Sequence, residues 1–228
     1  MKKSIVVIGG GESGVGAAIL ANRNGYDVFL SEFNTIQKKY KKILENNHIS
    51  YEEGGHTLNK FINAKEVVKS PGISNNSEII IKIKSKNISI ISEIEFAYRF
   101  TNSILIGVTG SNGKTTTCSL IYHILKSSGK SVGLAGNIGN SFSFLTAENN
   151  FEYVVLELSS FQLDDIINFN PFISVITNLS PDHLERYNYD FQNYVNSKFK
   201  IISNQSSLDY FIYNHDDDKI ISELNKII

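Results

Sequence analysis

Residues 4–32, "SIVVIGGGESGVGAAILANRNGYDVFLSE", carry the pattern that decides the fold. Four consecutive apolar residues, Ile5 to Ile8, run into glycines with no polar alternation, which reads as a buried strand. Gly9-x-Gly11-x-x-Gly14 follows, then small and apolar residues at helical spacing that stop at Gly25, a helix C-terminal signal. "YDVFLSE" is a second strand, with Glu32 at its end. Strand, glycine turn, helix, strand and acid in this order form a dinucleotide-type pattern in its required context. Backbone N–H groups at the helix start are free to meet a diphosphate. The same turn also serves tight strand–helix packing in many α/β proteins, and as a site it says diphosphate or nucleotide rather than NAD.

Further strands are expected at "EVVKS" and "ISIIS", with helical patterns between them, so the sheet is parallel and doubly wound. "SEIEFAYRFTNS" reads as a helix and a short connection, which puts a domain boundary within 93–103. The pattern then restarts. "SILIGVTG" is a strand and "KTTTCSLIYHILKSSG" a helix ending at Gly129. "FEYVVLEL", "PFISVITNLS" and "DYFIYN" are strands, and "DDDKIISELNKII" is a helix opening on Asp. The expectation is an α/β chain of two domains, residues 1–95 and 96–228, without internal repeats or a low-complexity linker.

With 41% hydrophobic and 20% charged residues, the chain has the means for a packed core. A net charge of -1 gives no electrostatic case for nucleic acid or an anionic membrane. Any anionic ligand must be held locally, by loops and helix ends. One cysteine excludes an internal disulfide framework and fits a reducing cytosol. The apolar run after Lys3 and Ser4 is too short for a signal-peptide core or a membrane span, so a soluble cytoplasmic protein is expected.

"IGVTGSNGKTTT", residues 106–117, is the second glycine loop. The strict phosphate-loop pattern places a Gly where Val108 stands, yet Gly113-Lys114-Thr115 is intact. Gly110, Asn112 and Gly113 let successive amides point inward at phosphate oxygens. Lys114 supplies a point charge, and the Thr115 hydroxyl can reach Mg²⁺. Ser111 and Thr116 complete the candidate ATP loop. Glu157 ends an apolar strand, where a carboxylate beside phosphates suits Mg²⁺. The next strand delivers Asn178, Asp182 and His183 to the same edge. In "DFQNYVNSKFKIIS", Phe191, Tyr194, Val195, Phe199 and Ile202 share one helical face, and Lys198 falls near its middle while Lys200 points away. A lysine there must snorkel out, find an anion or lose its charge, and its pKa is expected to be lowered. His48, His56, His123, His215 and Cys118 show no ligand spacing and read as surface or packing residues.

Taken in order, "GGGESGVG", "KSPGIS", "ISEIEF", "VTGSNGKTTT", "GLAGNIG", "ELSSFQLD", "NLSPDHLERY" and "SKFKII" resemble the Mur ligase family, the ATP-dependent amino-acid ligases of peptidoglycan synthesis. The resemblance runs end to end, and the family's Thr-Gly-x-Asn-Gly-Lys-Thr loop accounts for the displaced glycine. Among its branches the pieces match best the one that joins D-glutamate to UDP-N-acetylmuramoyl-L-alanine. The resemblance implies a Rossmann-like N-terminal domain that holds the uridine diphosphate. An incomplete P-loop ATPase-type α/β domain follows. Glu12 and Ser13 match the loop that approaches uracil, Glu32 and Asn34 the positions after the second strand, and Ser70, Pro71 and Gly72 a turn at the ligand. Asn34 stands where the family pattern has an arginine, so that contact differs. Lys114 and Thr115 would bind ATP with Mg²⁺, Glu157 and His183 would hold metal, and Asn137 and Ser159 would contact substrate. Lys198 matches a lysine that is carbamylated in the family, an anion able to support a second Mg²⁺.

The implied chemistry is activation of the alanine carboxylate by the ATP γ-phosphate, then displacement by the D-glutamate amine. The family also has a C-terminal domain that binds the amino acid, and its ATPase domain extends past the position of Ile228. On that basis this chain alone is expected not to complete ligation and to expose an unpaired sheet edge, while the full-length form is expected to be monomeric. Three alternatives stand beside this. An NAD-dependent oxidoreductase accounts for the first glycine motif alone. A folylpolyglutamate synthase-like ligase shares the phosphate loop but not "GGGESGVG" or "KSPGIS". The third is a remnant that binds nucleotides without ligation.

Overall fold

Ile5 to Ile8 leave β1 (Ser4–Ile8) no polar face, so the strand must be covered on both sides, and helices meet that need. The computed structural model describes residues 3–226, which divide into two compact units. The first runs to Thr101 and also takes in Asn140–Asn149 and Asp165–Ile167. The second comprises Asn102–Gly139, Asn150–Asp164 and the chain from Asn168 onward. The units therefore interleave along the sequence. No described helix is long and apolar enough to cross a membrane.

In the first unit β1 is followed by α1 (Glu12–Arg23), β2 (Asp27–Ser31), α2 (Lys38–Asn46), β3 (Ser50–Glu52) and α3 (Leu58–Ile62). Then come β4 (Glu66–Lys69), α4 (Glu78–Ser85), β5 (Ile90–Ser92) and α5 (Glu93–Tyr98). The sheet is wholly parallel in the order β3-β2-β1-β4-β5. Strand order reverses at β1, and that is where an open α/β sheet leaves a crevice beyond its carboxyl ends. The expected strands are present. Only β3 was not anticipated in this unit, being a three-residue edge strand with no apolar run.

The second unit holds β6 (Ile104–Thr109), α6 (Lys114–Ser127) and β7 (Val132–Gly136), after which α7 (Phe142–Glu148) packs with the first unit. It continues with β8 (Tyr153–Glu157), α8 (Ser160–Leu163), β9 (Ile173–Ile176), α9 (Phe191–Phe199), β10 (Tyr210–Tyr213) and α10 (Asp218–Leu224). Its parallel sheet runs β10-β9-β6-β8-β7. In register, Val108 of β6 faces Glu157 of β8 and Val175 of β9. The carboxyl ends of three neighbouring strands thus meet at one edge.

Two carboxylates of the first unit secure the start of α7. Glu12 accepts from Ser141 N at 2.8 Å, and buried Glu93 accepts from Ser143 N. Burial, with the Glu12 charge nearby, pushes the Glu93 carboxyl up to about 7 against the hydrogen bonds from Ser143. A side chain at Gly16 would place its Cβ 2.5 Å from Ser141 Oγ, so glycine is what lets α7 lie directly on α1. The short segment at 165–167 is tied in by a buried ion pair, Lys69 Nζ to Asp165 at 2.9 Å, and by Ile167 N donating to Glu95 at 2.9 Å.

Candidate functional site

In the first unit the glycine turn follows β1. Gly9 has φ +109, and a Cβ on Gly14 would lie 1.8 Å from Gly9 O, so α1 can start only if both positions are bare. Glu32, just past β2, has both oxygens engaged. It accepts from Gly10 N at 2.6 Å and from Asn34 N at 2.8 Å, which fastens the glycine turn to the end of β2. Beside it opens a cavity of about 510 Å³ whose wall includes Glu32, Phe33, Asn34, His56 and Gly72. Ser70 and Pro71 lie in the turn before Gly72, with Ser70 Oγ buried against Gly9 and Gly14. Lys69 Nζ closes that turn by donating to Ile73 O at 3.0 Å. Glu12 and Ser13 occupy the first turn of α1 and are not on the cavity wall, Glu12 being committed to Ser141. His56, expected to be a surface or packing residue, is on that wall.

In the second unit the loop after β6 is shaped by Gly110 at φ +142 and Gly113 at φ +80. A Cβ on Gly110 would fall 2.0 Å from Thr177 Oγ1. Residues 177–180, after β9, hold this loop from one side. Asn112 N donates to Asn178 Oδ1 at 3.0 Å, Thr177 Oγ1 donates to Asn112 O at 2.6 Å, and Ser111 Oγ donates to Ser180 O at 2.8 Å. Tyr194 reaches Ser111 Oγ at 3.0 Å, a contact the sequence did not announce because it joins residues 83 positions apart.

From the other side Glu157, buried at the end of β8, accepts from Thr115 Oγ1 at 2.7 Å and Asn137 Nδ2 at 2.9 Å. Lys114 Nζ donates to Gly110 O at 2.9 Å and Ser111 O at 2.8 Å. Lys198 Nζ also donates to Gly110 O, at 2.8 Å, and lies 4.6 Å from the centre of the Tyr194 ring. Only 2% of Lys198 is exposed. Burial, then the Lys114 charge, brings its pKa down from 10.5 to about 7, with Asp182 pulling weakly the other way. Of the open alternatives for this lysine, snorkelling is therefore excluded.

The apolar face of α9 was drawn through Ile202, but the helix tightens to a 3₁₀ turn at Lys200–Ile202, which rotates Ile201 into the core instead. Lys200 points away from Lys198 and donates to Asp164 O.

Lys114, Thr115, Asn137, Glu157 and Lys198 are thus joined through one loop. Ser159 caps α8, its hydroxyl and backbone N–H both engaged with Gln162. Thr116 and Asn112 are exposed. His183, 56% exposed with φ +50, lies 3.7 Å from the carboxylates of Asp182 and Glu185. Among the described residues no three His, Cys, Asp or Glu side chains converge as a metal cluster. A cation here would rely on hydroxyl, carboxylate and ligand oxygens. Cys118 is buried, and burial pushes its thiol up to about 12, so it is inert packing.

The Mur ligase middle domain model matches residues 108–227, and the MurD N-terminal domain model matches residues 4–79. The chain is 52% identical to the UDP-N-acetylmuramoylalanine–D-glutamate ligase of Christiangramia forsetii over 226 residues, 99% of this chain and 51% of that protein. It is 54% identical to the ligase of the same name from Bacteroides fragilis, over 98% of this chain and 50% of that protein. The chain spans about half the length of the curated relatives it matches. Among solved structures, the Neisseria meningitides UDP-N-acetylmuramate:L-alanyl-gamma-D-glutamyl-meso-diaminopimelate ligase aligns with a TM-score of 0.68 at 20% identity, over 99% of this chain and 75% of that one. The UDP-N-acetylmuramate-alanine ligase of Thermotoga maritima gives 0.59 at 23% identity, over 97% and 51%. At these identities the structural likeness speaks for the fold.

Proposed function

The chain belongs to the Mur ligase family, and on that premise we propose that it serves an ATP-dependent ligase joining D-glutamate to UDP-N-acetylmuramoyl-L-alanine in the cytoplasmic assembly of peptidoglycan precursors. One observation carries this reading above the others. Lys114, Thr115, Glu157 and Lys198 converge through a single glycine loop, in a chain 52% identical to a ligase of that name over 99% of its length.

The second unit takes ATP along residues 110–116. Lys114 exchanges two neutral carbonyls for phosphate oxygens, a stronger charge-assisted pairing. Thr115 and Glu157 supply an oxygen-only donor set beside those phosphates, which fits Mg²⁺. When bound there, Mg²⁺ would supply charge neutralisation at the transferring phosphate. His183 and a carbamylated Lys198 would hold a second Mg²⁺. At neutral pH part of the Lys198 population is an uncharged amine. Its lone pair attacks the carbon of CO₂, an N–C bond forms, and one proton leaves to solvent. Asn137 and Ser159 contact the sugar-linked substrate. The first unit holds its uridine diphosphate through the glycine turn, Glu32, Asn34 and the 70–72 turn, with Glu12 and Ser13 at the helix start.

The alanine carboxylate attacks the γ-phosphorus, ADP leaves, and an acyl phosphate forms. The D-glutamate amine then displaces phosphate to give the amide. Calorimetry of the Lys114→Ala variant tests the assignment. ATP–Mg²⁺ affinity is expected to fall by about 100-fold, the scale of a lost charge-assisted contact, while affinity for the UDP-linked substrate stays. Equal ATP binding by both proteins would refute it.

A further inference from the structure

An asparagine followed by glycine is chemically labile, because no side chain crowds the glycine nitrogen as it attacks the asparagine amide. The chain holds two such pairs, Asn24-Gly25 at the end of α1 and Asn112-Gly113 in the loop before α6. Exposure does not separate them. All four residues are exposed, and a Cβ on either glycine would meet nothing within 4 Å.

Hydrogen bonding does separate them. In the first pair both reacting nitrogens are occupied: Asn24 Nδ2 donates to Leu20 O at 2.8 Å and Gly25 N to Asn22 O at 3.0 Å. In the second, Asn112 Nδ2 reaches Ser180 Oγ only at 3.5 Å, and no described residue accepts from Gly113 N. The Asn112 carbonyl accepts twice, from Thr177 Oγ1 at 2.6 Å and from Asn178 Nδ2 at 2.9 Å. When Gly113 N gives up its proton, the negative charge spreads onto that oxygen. The two donors then stabilise it as an oxyanion hole would. The Lys114 ammonium, seated on the carbonyls of Gly110 and Ser111 in the same loop, favours the anion as well.

We propose that the phosphate loop carries its own modification site: in the folded protein Asn112 deamidates through Gly113, while Asn24 is protected. Gly113 N loses its proton to water and attacks Cγ of Asn112. The new N–Cγ bond closes a succinimide ring, the Cγ–Nδ2 bond breaks, and ammonia leaves with a proton from solvent. Water then opens the ring. Attack at Cγ leaves aspartate, and attack at the backbone carbonyl leaves isoaspartate, with one methylene added to the main chain. Nothing is oxidised or reduced. Either product puts a carboxylate on a loop whose amides and lysine suit an anion, so the modified loop repels the ligand it is shaped to take.

Ageing the unaltered protein without nucleotide, at mildly alkaline pH, tests this, with aspartate and isoaspartate scored by peptide mass spectrometry. Asn112 is expected to convert at least about tenfold faster than Asn24, the scale of the hydrogen bonds that the first pair would have to break. In concentrated urea the two rates should converge. Thr177→Val, which keeps the shape but withdraws one donor from the Asn112 carbonyl, should slow Asn112 about fivefold and leave Asn24 unchanged. Conversion of Asn112 no faster than that of Asn24 in the folded protein overturns the proposal, and so does a ratio that urea leaves unaltered. An unchanged Asn112 rate in the valine variant removes the role of the loop's hydrogen bonds. Saturating ATP–Mg²⁺ should slow Asn112 alone. If Asn112 remains the faster site but ATP–Mg²⁺ does not slow it, the modification stands and the nucleotide reading of the loop falls.

Discussion

Replacing Lys198 with methionine is expected to give a protein that is harder to unfold and, under the proposed function, a full-length ligase that has lost its turnover. The lysine is buried, with one carbonyl acceptor and one aromatic face for its ammonium group. Its pKa falls from 10.5 to about 7, which corresponds to about 5 kcal/mol of folding free energy lost wherever both states carry the charge. The sign follows from proton counting. The unfolded lysine keeps its proton up to about 10.5 and the folded one releases it near 7, so between these values the unfolded state binds more protons and stability climbs with pH. Methionine removes that climb. Urea melts at pH 6 should favour Lys198→Met by roughly 2–4 kcal/mol, less than the full amount because Gly110 O loses one of its two donors. The advantage should shrink by pH 9. If the proposed carbamate on Lys198 serves the metal, turnover of the full-length ligase proposed above should fall by about a thousandfold or more in the same variant. A stability difference that ignores pH would show that this amine does not titrate as described.

On the same proposal, Glu157→Gln should have a comparable effect on turnover of the full-length ligase with little on the fold. The amide keeps the size of the side chain, and Thr115 and Asn137 can both turn to accept from or donate to it. What disappears is the negative charge beside the proposed phosphate site. Under the proposed function, turnover of the full-length ligase with ATP is expected to drop by about 10²–10³, with a higher Mg²⁺ requirement. The melting temperature should hold or rise, because a buried carboxylate has been removed. A variant with an unaltered Mg²⁺ dependence would take Glu157 out of the metal site.

Much of this was visible in the residues themselves. The apolar run of β1, the glycine that ends α1 and the Gly-Lys-Thr junction are local signals, each with a short-range cause. Lys198 was equally legible, since a charge on an apolar stripe is anomalous wherever the helix packs. Other features were not. β7 has the sequence Val-Gly-Leu-Ala-Gly, poor in strand-forming side chains, and owes its place to pairing with β8. His56 carries no spacing signal, because the Ser31 hydroxyl that meets it comes from β2, 25 residues away, and is itself held by Glu52 of β3. The Tyr194–Ser111 contact and the docking of α7 on α1 are likewise products of tertiary packing.

The interleaving of the two units has a consequence for how the protein is made. A ribosome releases the chain from its N-terminus, at about 5–20 residues per second. All strands of the first sheet have emerged once Ser92 is out. Glu12 must still wait for Ser141, 49 residues beyond Ser92, which is roughly 2–10 seconds at that pace. Glu95 waits for Ile167, 72 residues on. Through this interval the first sheet has emerged without α7 on α1, and Glu93 and Lys69 lack their late-synthesised partners, Ser143 and Asp165. A nascent chain halted before residue 140 should therefore be cut within its first hundred residues by a protease that spares the same region once residue 167 has emerged.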